Sequence, residues 1–422
     1  MSRVKVAFRV AIVSAGLFLA TGAGAADLGG DCCADLEERI AGLEATTARK
    51  GNRKVSLTLT GYVTKQIMFW DDGGERNAYI SDIGPTQATN FRFTGQAAIS
   101  PGWKVGYMLR VQDLTDNPMG SSQTVPSTNQ GLNVQMANWF LASEYLGKFS
   151  LGKNALAAKS AAMFTDLSGT QVIANYVLFD GNAFFLRANG ALSKLRWGDF
   201  AYCYAQQRPW GGDCDGIVMN GVRYDSPTFA GFSMSASWGE DDDWEVAGRY
   251  TGEKSGFKLA FGTGYSVNTD EATQPLPVSH AKDSAVFQVG GYAQHLASGL
   301  FLHAAYGNEN NNGKETLAGF TEPNSHQWYL KGGIRRQWLS PGHSVLYAEY
   351  GAYIDQLSPA ALAEGATSSR FERFGAGLVQ EIDSASMSLW IKYREQHAHI
   401  EGTSLGEIDD FRYVSTGALI NF

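Results

Sequence analysis

The sequence predicts an all-β fold, an antiparallel β-barrel that crosses a membrane with its strands. From Val55 onward, apolar and polar residues alternate with a period of two, which is typical of strands. The alternating segments run to about 10 to 12 residues, whereas strands of soluble proteins average about 5 to 6. Ten residues tilted by about 45° rise by about 23 Å, close to the ~25 Å apolar band of a membrane barrel. The strands of a soluble sandwich or propeller would also show alternating apolar and polar residues. Strand length, aromatic residues near strand ends, and short turns alternating with long loops decide for the barrel.

The composition agrees with strands and excludes one class of function. The 422 residues include 49 glycines but only 11 prolines, and charged residues make up 18%. Soluble domains carry about 25% charged residues, so this chain suits glycine-rich strands better than charged helices. Nucleic-acid-binding proteins show a basic patch or stripe, whereas this chain has a formal net charge of -8. We therefore expect no nucleic-acid partner.

Residues 1–25 predict a secretory signal peptide. Basic residues at the start precede an apolar run from Val10 to Ala20, which is followed by the small residues Ala23-Gly24-Ala25. The apolar run is too short to cross a membrane as a helix. The expected mature chain begins near Ala26, and a retained amphipathic anchor is the alternative.

Residues 26–52 predict a short periplasmic helix of coiled-coil type. Leu36, Ile40 and Leu43 recur at spacings of four and three, with charged residues around them. An isolated helix of this length is marginal in water, so the pattern favours an oligomer in which several copies pack together. A flexible leader is the other interpretation.

Four cysteines fit an oxidising compartment. Cys203 and Cys214 flank a turn-rich segment and are a candidate disulfide that would close one surface loop. Cys32 and Cys33 are adjacent, where a bond between them would be strained, so pairing between subunits is the better hypothesis for them.

Residues 53–422 form the predicted barrel. Pairs of alternating segments are joined by tight turns, as at Ser100-Pro101-Gly102. About 18 segments qualify as strands, and the doubtful pair is "AFFLRANG" with "LSKLRWGDFAY". The alternation directs six basic side chains to the polar, inward face of the barrel: Arg92, Lys104, Arg110, Arg223, Arg249 and Arg335.

A long segment follows the fifth strand. It begins "NALAAKSAAMFTDLSG" and runs for about 30 residues, which is unusual in a compact sheet and typical of a functional loop. Its apolar clusters indicate that it packs against something. Asp166 and Asp180 are its two carboxylates.

The last strand reads "FRYVSTGALINF". One parity, from Val414 to Phe422, is much more apolar than the other, as expected of a strand with one face in lipid.

Two blocks of this sequence resemble the general-diffusion porins of alphaproteobacteria, especially the rhizobial group. They are "NGVRYDSPTFAGFSMSASWGEDDDWEVAGRYTGEKSGFKLA" and "DLEERIAGLEATTARKGNRKVSLTLTGYV". The resemblance implies a trimer of 16-stranded barrels, each with its third loop folded inward, and leaves 18 strands as the alternative. It also implies an outer-membrane assembly signal at the end of the chain: Ser415, Gly417, Ile420 and Phe422.

The resemblance implies an outer-membrane channel for passive diffusion of ions and small hydrophilic solutes. Asp166 and Asp180 would form the pore constriction, and acid on the loop opposite base on the wall would set up a field that sorts ions. The implied partners are two further copies of the chain, lipid and lipopolysaccharide, the barrel assembly machinery, and peptidoglycan through residues 26–52. A substrate-specific channel is the alternative, and a cell-wall anchor is a third possibility.

The sequence gives little support to an enzyme. None of the seven histidines lies in a recognised nucleophile or zinc motif. His397 and His399 share a strand face, but the sequence shows no third ligand beside them. We therefore expect no catalytic residue, no metal and no cofactor.

Overall fold

The computed structural model describes residues 55–214, 218–240, 242–269, 283–316 and 319–422. The predicted signal peptide, the predicted periplasmic helix, Cys32 and Cys33 lie outside the described residues. No helix in the described part of the chain is long and apolar enough to cross a membrane.

The regular secondary structure of the described residues is almost entirely β-strand. Helical structure is limited to single turns, namely α1 (Pro359–Ala363) and four 3-10 turns (Pro118–Gly120, Met163–Thr165, Trp197–Phe200 and Asp383–Ala385). The strands are β1 (Thr58–Asp71), β2 (Arg76–Ser81), β3 (Asn90–Ser100), β4 (Trp103–Asp113), β5 (Leu132–Ser143), β6 (Gly147–Ala155), β7 (Phe185–Ala188), β8 (Ala191–Arg196), β9 (Val218–Asp225), β10 (Phe232–Gly239), β11 (Asp243–Lys254), β12 (Phe257–Asn268), β13 (Ser284–His295), β14 (Leu300–Asn310), β15 (Ser325–Leu339), β16 (Gly342–Ile354), β17 (Ser368–Ile382), β18 (Met387–Glu401) and β19 (Phe411–Asn421).

Seventeen of these strands form one antiparallel sheet, and they fill sixteen positions in it. β2 pairs with the second half of β1 and β3 pairs with the first half, so these two strands share one position. β7 and β8 pair with each other as a hairpin that is not part of this sheet, and Ala188 makes one isolated bridge to Ile408. β7 and β8 are the doubtful pair of the sequence count. Removing them from the 18 candidates leaves the 16-stranded barrel, which is confirmed.

The sheet closes because its first and last strands pair. β1 and β19 run antiparallel in a register that joins Tyr62 to Asn421 and Asp71 to Arg412. Gly61 and Phe422 exchange two backbone hydrogen bonds of 3.0 Å beyond that ladder. A closed barrel leaves no unpaired edge of the sheet.

The alternation predicted from the sequence sets the two faces of the wall. On β19, Val414, Thr416 and Ile420 are exposed on the outside, whereas Tyr413 and Ser415 are buried inside. Large apolar residues are exposed on the outer face of most other strands too, which gives the band that contacts lipid. Polar and small residues face the lumen, together with aromatic residues such as Trp70 and Phe411.

Short turns and long loops alternate at the two ends of the wall. Residues 255–256 join β11 to β12 at one end, while residues 355–367 join β16 to β17 at the other. The longest connection follows β6, at the third long-loop position. Its described residues, 156–214, lie within the barrel and include the β7–β8 hairpin; we call them the lumen loop.

Candidate functional site

The lumen loop is fixed to the wall as soon as it leaves β6. Arg223 on β9 donates to the carbonyl oxygen of Leu156 at 3.0 Å, and Arg249 on β11 donates to that of Ala157 at 2.6 Å. The Glu245 carboxylate accepts the next backbone N–H at 2.5 Å. Two of the predicted wall cations therefore hold the start of the loop.

The loop then crosses a stretch of wall that carries no side chains. Gly262 on β12 and Gly290 on β13 face the lumen beneath Ala161 and Ala162. A Cβ atom at Gly262 would lie 2.3 Å from the carbonyl oxygen of Ala161, and one at Gly290 would lie 2.5 Å from that of Ala162. Alanines on the loop and glycines on the wall thus allow backbone to pack against backbone.

Asp166 anchors the loop half-way up β15. Its carboxylate accepts a hydrogen bond of 2.5 Å from the Lys331 ammonium, and both side chains are almost fully buried. Lys331 also donates to Thr170 and to the carbonyl oxygen of Ala174, at 2.8 and 2.7 Å. Burial alone would raise the pKa of Asp166, but Lys331 and His303 outweigh it and hold that pKa below its ordinary value.

Asp180 makes the second anchor, on β18 and β1. It accepts from Lys392 at 2.6 Å and from Gln66 at 2.8 Å, and Arg394 lies 4.0 Å away. Burial opposes its ionisation, but Lys392 and Arg394 lower the pKa of this carboxyl as well. A lowered pKa means that both anchors hold at neutral pH and are lost only below the usual titration range of a carboxyl group.

Further cations complete this side of the wall. Arg394 pairs with Glu349 at 2.6 Å, and Arg373 donates to the carbonyl oxygens of Asn175 and Val177 on the loop. These cations were not among those predicted from the sequence, although they lie on the polar parity of their strands just as the predicted ones do. Four buried cations on β15, β17 and β18 thus face three buried carboxylates and the loop backbone: Lys331, Arg373, Lys392 and Arg394 against Asp166, Asp180 and Glu349.

The returning half of the loop carries the disulfide. Cys203 and Cys214 are bonded at 2.07 Å and are both buried. The Glu309 carboxylate on β14 accepts the backbone N–H groups of Tyr204 and Ala205 at 3.1 and 2.6 Å. The bond predicted from the sequence therefore closes a lobe inside the lumen rather than a loop on the surface.

An aromatic cluster fills the loop end of the barrel beside the β7–β8 hairpin. Phe184 contacts Trp70 and Phe411, with ring centroids 5.0 and 4.6 Å apart. Arg187 on the hairpin donates to Asp72, with 3.0 Å between the charged atoms. The hairpin is therefore a packed part of the lumen loop.

The wall of β3, β4 and β5, which we call the free wall, differs from the rest. Within the described residues, no hydrogen bond of the lumen loop reaches these three strands. Arg110 donates to Asn90 at 3.2 Å and to the carbonyl oxygen of Thr86 at 3.0 Å. In the part of the chain that the structure describes, neither Arg92 nor Arg110 pairs with a carboxylate.

The six predicted wall cations do not form one ring. Arg92 and Arg110 are cross-strand neighbours on β3 and β4, whereas Lys104 lies nearer the turn end of β4. Arg223 and Arg249 hold the loop start, as described above. Arg335 pairs with Glu381 at 2.6 Å near the turn end of the wall.

At the loop end of the barrel, a cleft of about 380 Å³ lies between the lobe that the disulfide closes and the wall of β4, β5, β6 and β9. Among the described residues, its lining contains two cations, Lys153 and Arg208, and no carboxylate. The other lining residues are mostly amides and apolar groups: Pro85, Thr86, Gln112, Leu114, Asn133, Gln135, Ala205, Gln206, Trp210, Val218, Met219 and Asn268.

The family model of the Gram-negative porins matches residues 11–398. The chain belongs to the Gram-negative porin family. The porin is an outer-membrane channel through which ions and small hydrophilic solutes diffuse, as its closed barrel and its inward loop lead one to expect. Family and fold indicate a channel rather than an enzyme.

Solved structures share the fold of this porin at low sequence identity. The channel DcaP of Acinetobacter baumannii is 12% identical, with 88% of this chain and 99% of that chain covered and a TM-score of 0.52. An OmpT of Vibrio cholerae that lacks loop L8 is 11% identical, with 87% and 100% covered and a TM-score of 0.51. OmpF of Salmonella typhi, solved with daunomycin, is 14% identical, with 87% and 98% covered and a TM-score of 0.50. No curated protein matches the chain significantly.

His397 has two carboxylates close to it, which the sequence did not indicate. Glu395 and Asp410 each place an oxygen within 4.8 Å of a His397 ring nitrogen. Asp410 comes from the loop before β19, where strand alternation gives no guide. Arg412 already pairs with both carboxylates, at 2.6 and 2.9 Å. The group is thus a surface ion-pair network.

Proposed function

We propose that solutes cross the porin between the lumen loop and the wall of β3, β4 and β5, along a path that favours anions. The observation that carries this proposal is the pairing of the loop carboxylates. Asp166 and Asp180 are buried against Lys331 and Lys392, so their charges are balanced on the covered side of the lumen. We assign them to anchoring the constriction loop rather than to facing the solute.

The free wall supports the same proposal from its own charges. Arg92 and Arg110 are adjacent on β3 and β4 and pair with no carboxylate among the described residues. Rings or patches of one charge at a narrow point of a channel select ions of the opposite charge. These two side chains are therefore the proposed source of anion preference, and Lys104 adds to it nearer the turn end.

The proposal is tested by the zero-current potential of the purified protein in a planar bilayer under a potassium chloride gradient. The double variant Arg92→Gln, Arg110→Gln is expected to lower the anion-to-cation permeability ratio by roughly twofold, because two uncompensated charges leave the path. Lys254→Gln, an exposed residue at the turn end, is the control and should change nothing. An unchanged potential in the double variant would refute this path.

The remaining assignments concern assembly and location within the envelope. We propose that the porin is a homotrimer of the rhizobial kind, supported by the two sequence blocks above and by an OmpT of Vibrio cholerae whose structure is described as a trimer form. We propose further that residues 1–25 are removed as a signal peptide and that residues 26–52 form the periplasmic segment that approaches peptidoglycan. Lipopolysaccharide and the barrel assembly machinery are the other proposed partners, and no cofactor is proposed.

The assembly signal gives a separate prediction. Phe422 is exposed on the outer face beside Gly61, and Ile420 is exposed above it, while Ser415 is buried on the inner face and Gly417 shares its parity. Phe422→Ala is expected to lower the amount of folded porin in the outer membrane several-fold, measured by heat-modifiable mobility of membrane fractions. The molecules that do insert should show the wild-type conductance, because the ring lies outside the lumen. Normal amounts of folded porin would contradict this role.

A further inference from the structure

Gln135 stands out among the polar residues of the lumen. It is only 4% exposed, yet neither its amide oxygen nor its amide nitrogen has a hydrogen-bond partner in the structure. Buried polar groups nearly always have such partners, so an unpaired amide needs an explanation.

An irregularity of the β5 backbone sets the position of this side chain. Arg110 pairs with Met136 and Val111 pairs with Val134, so Gln135 is the extra residue of a β-bulge on β5. A bulge redirects a side chain, and bulges are frequent beside functional sites. Here the bulge brings Gln135 to the border of the cleft described above.

The rest of the cleft offers hydrogen bonds of both kinds. Gln112 accepts the N–H of Thr86 through its Oε1 at 3.0 Å, and its amide nitrogen has no protein partner among the described residues. Asn133 and Gln206 also line the cleft. A side-chain amide both donates and accepts, which matches the hydroxyl groups of a polyol.

Charge and shape narrow the class of solute. Lys153 and Arg208 are the charged residues of the lining within the described part of the chain, and Arg208 is exposed, so a carboxylate group could pair with it. Trp210 of the lumen loop adds an aromatic ring to the lining of the cleft. A volume of about 380 Å³ lies within the range of small-molecule sites.

We propose that this cleft is a binding site for a sugar acid of monosaccharide size, with hydroxyl groups on the amides of Gln135 and Gln112 and the carboxylate on Arg208. The inference rests on the proposed function, because it places the site on the proposed anion path next to Arg110. Arg110 donates to the carbonyl oxygen of Thr86, and Thr86 lines the cleft. It makes the porin a channel with a subsite for one class of solute.

The test is block of the ion current by glucuronate in a planar bilayer, with glucose and acetate as comparison solutes. Glucuronate is expected to interrupt the current at lower concentration than either, since only it has both chemical features. Gln135→Met keeps the size of the side chain and should weaken the block about fivefold, as the loss of one neutral hydrogen bond predicts. Arg208→Gln should weaken it about tenfold, as the loss of a charged one predicts.

Gln96→Met is the matched control, because this glutamine faces the lumen near the turn end of β3, away from the cleft. It should leave the glucuronate block unchanged. Equal block by acetate and glucuronate, or a block that is unchanged in both cleft variants, would overturn the sugar-acid site. The zero-current potential tests the proposed function separately from the sugar-acid site. Anion preference without specific block by glucuronate would support the proposed function and contradict the site.

Discussion

Replacing Lys331 by methionine is expected to release the lumen loop from the wall. The ammonium of Lys331 neutralises Asp166 and binds Thr170 and Ala174, all within a buried environment. Removal of one partner of a buried ion pair costs about 3 to 5 kcal/mol, because a carboxylate is left without compensation. The loop should therefore leave its position near β15, and single-channel conductance should rise.

The double variant Lys331→Met, Asp166→Leu separates charge from packing. Replacing both partners of a buried pair by apolar residues is often close to neutral, so much of the wild-type conductance should return. Arg370→Met is the control, since this exposed arginine pairs with Glu372 away from the lumen loop. A Lys331→Met channel with wild-type conductance would show that the anchor does not set the width of the pore.

Gly290→Leu is expected to have the second large effect. The added side chain would point at Ala162, whose carbonyl oxygen lies 2.5 Å from the position of a new Cβ atom. Inserting atoms into packed regions typically costs about 1 to 3 kcal/mol, and here the obstacle is backbone rather than a movable side chain. The start of the lumen loop should be displaced, with altered conductance and faster cleavage of the loop by added protease.

The next residue is the control for this experiment. Gly291 faces outward, and a Cβ atom there would have its nearest neighbour at 4.0 Å, the carbonyl oxygen of Ala260. Gly291→Leu changes the same residue type by the same amount on the lipid side of the wall. It should leave conductance and protease sensitivity as in the wild type; if both variants behave alike, close packing of the loop on the glycine surface is not what positions it.

The barrel could be predicted from the sequence because the signal is local and repeated. Alternation along β19 placed Val414, Ile420 and Phe422 outward, as the structure has them. The strand count was uncertain only at β7 and β8, which alternate like wall strands but pair with each other. The alternation of apolar and polar residues along a strand does not show which segment the strand pairs with. The sequence of a hairpin inside the lumen therefore resembles that of a hairpin in the wall.

The contacts of the lumen loop could not be predicted in the same way. Asp166 and Asp180 were recognised as its carboxylates, but their partners Lys331 and Lys392 are more than 150 residues away in the chain. Alternation gives only the side of the wall on which a cation lies. Whether that cation is covered by the loop depends on the path of the loop, which is set by small residues such as Gly262 and Gly290 as much as by charge.

The seam between β1 and β19 determines the order in which this wall can form. Every other neighbouring pair in the barrel is close in sequence or separated by one loop, whereas the seam joins Tyr62 to Asn421. The hairpins can therefore form first, while the seam can form only when β1 and β19 are both in place. Until then the growing sheet has two exposed edges whose backbone groups have no partners in lipid. A partly inserted barrel would be an open sheet with two unpaired edges, so insertion and closure must be coupled in a single late step.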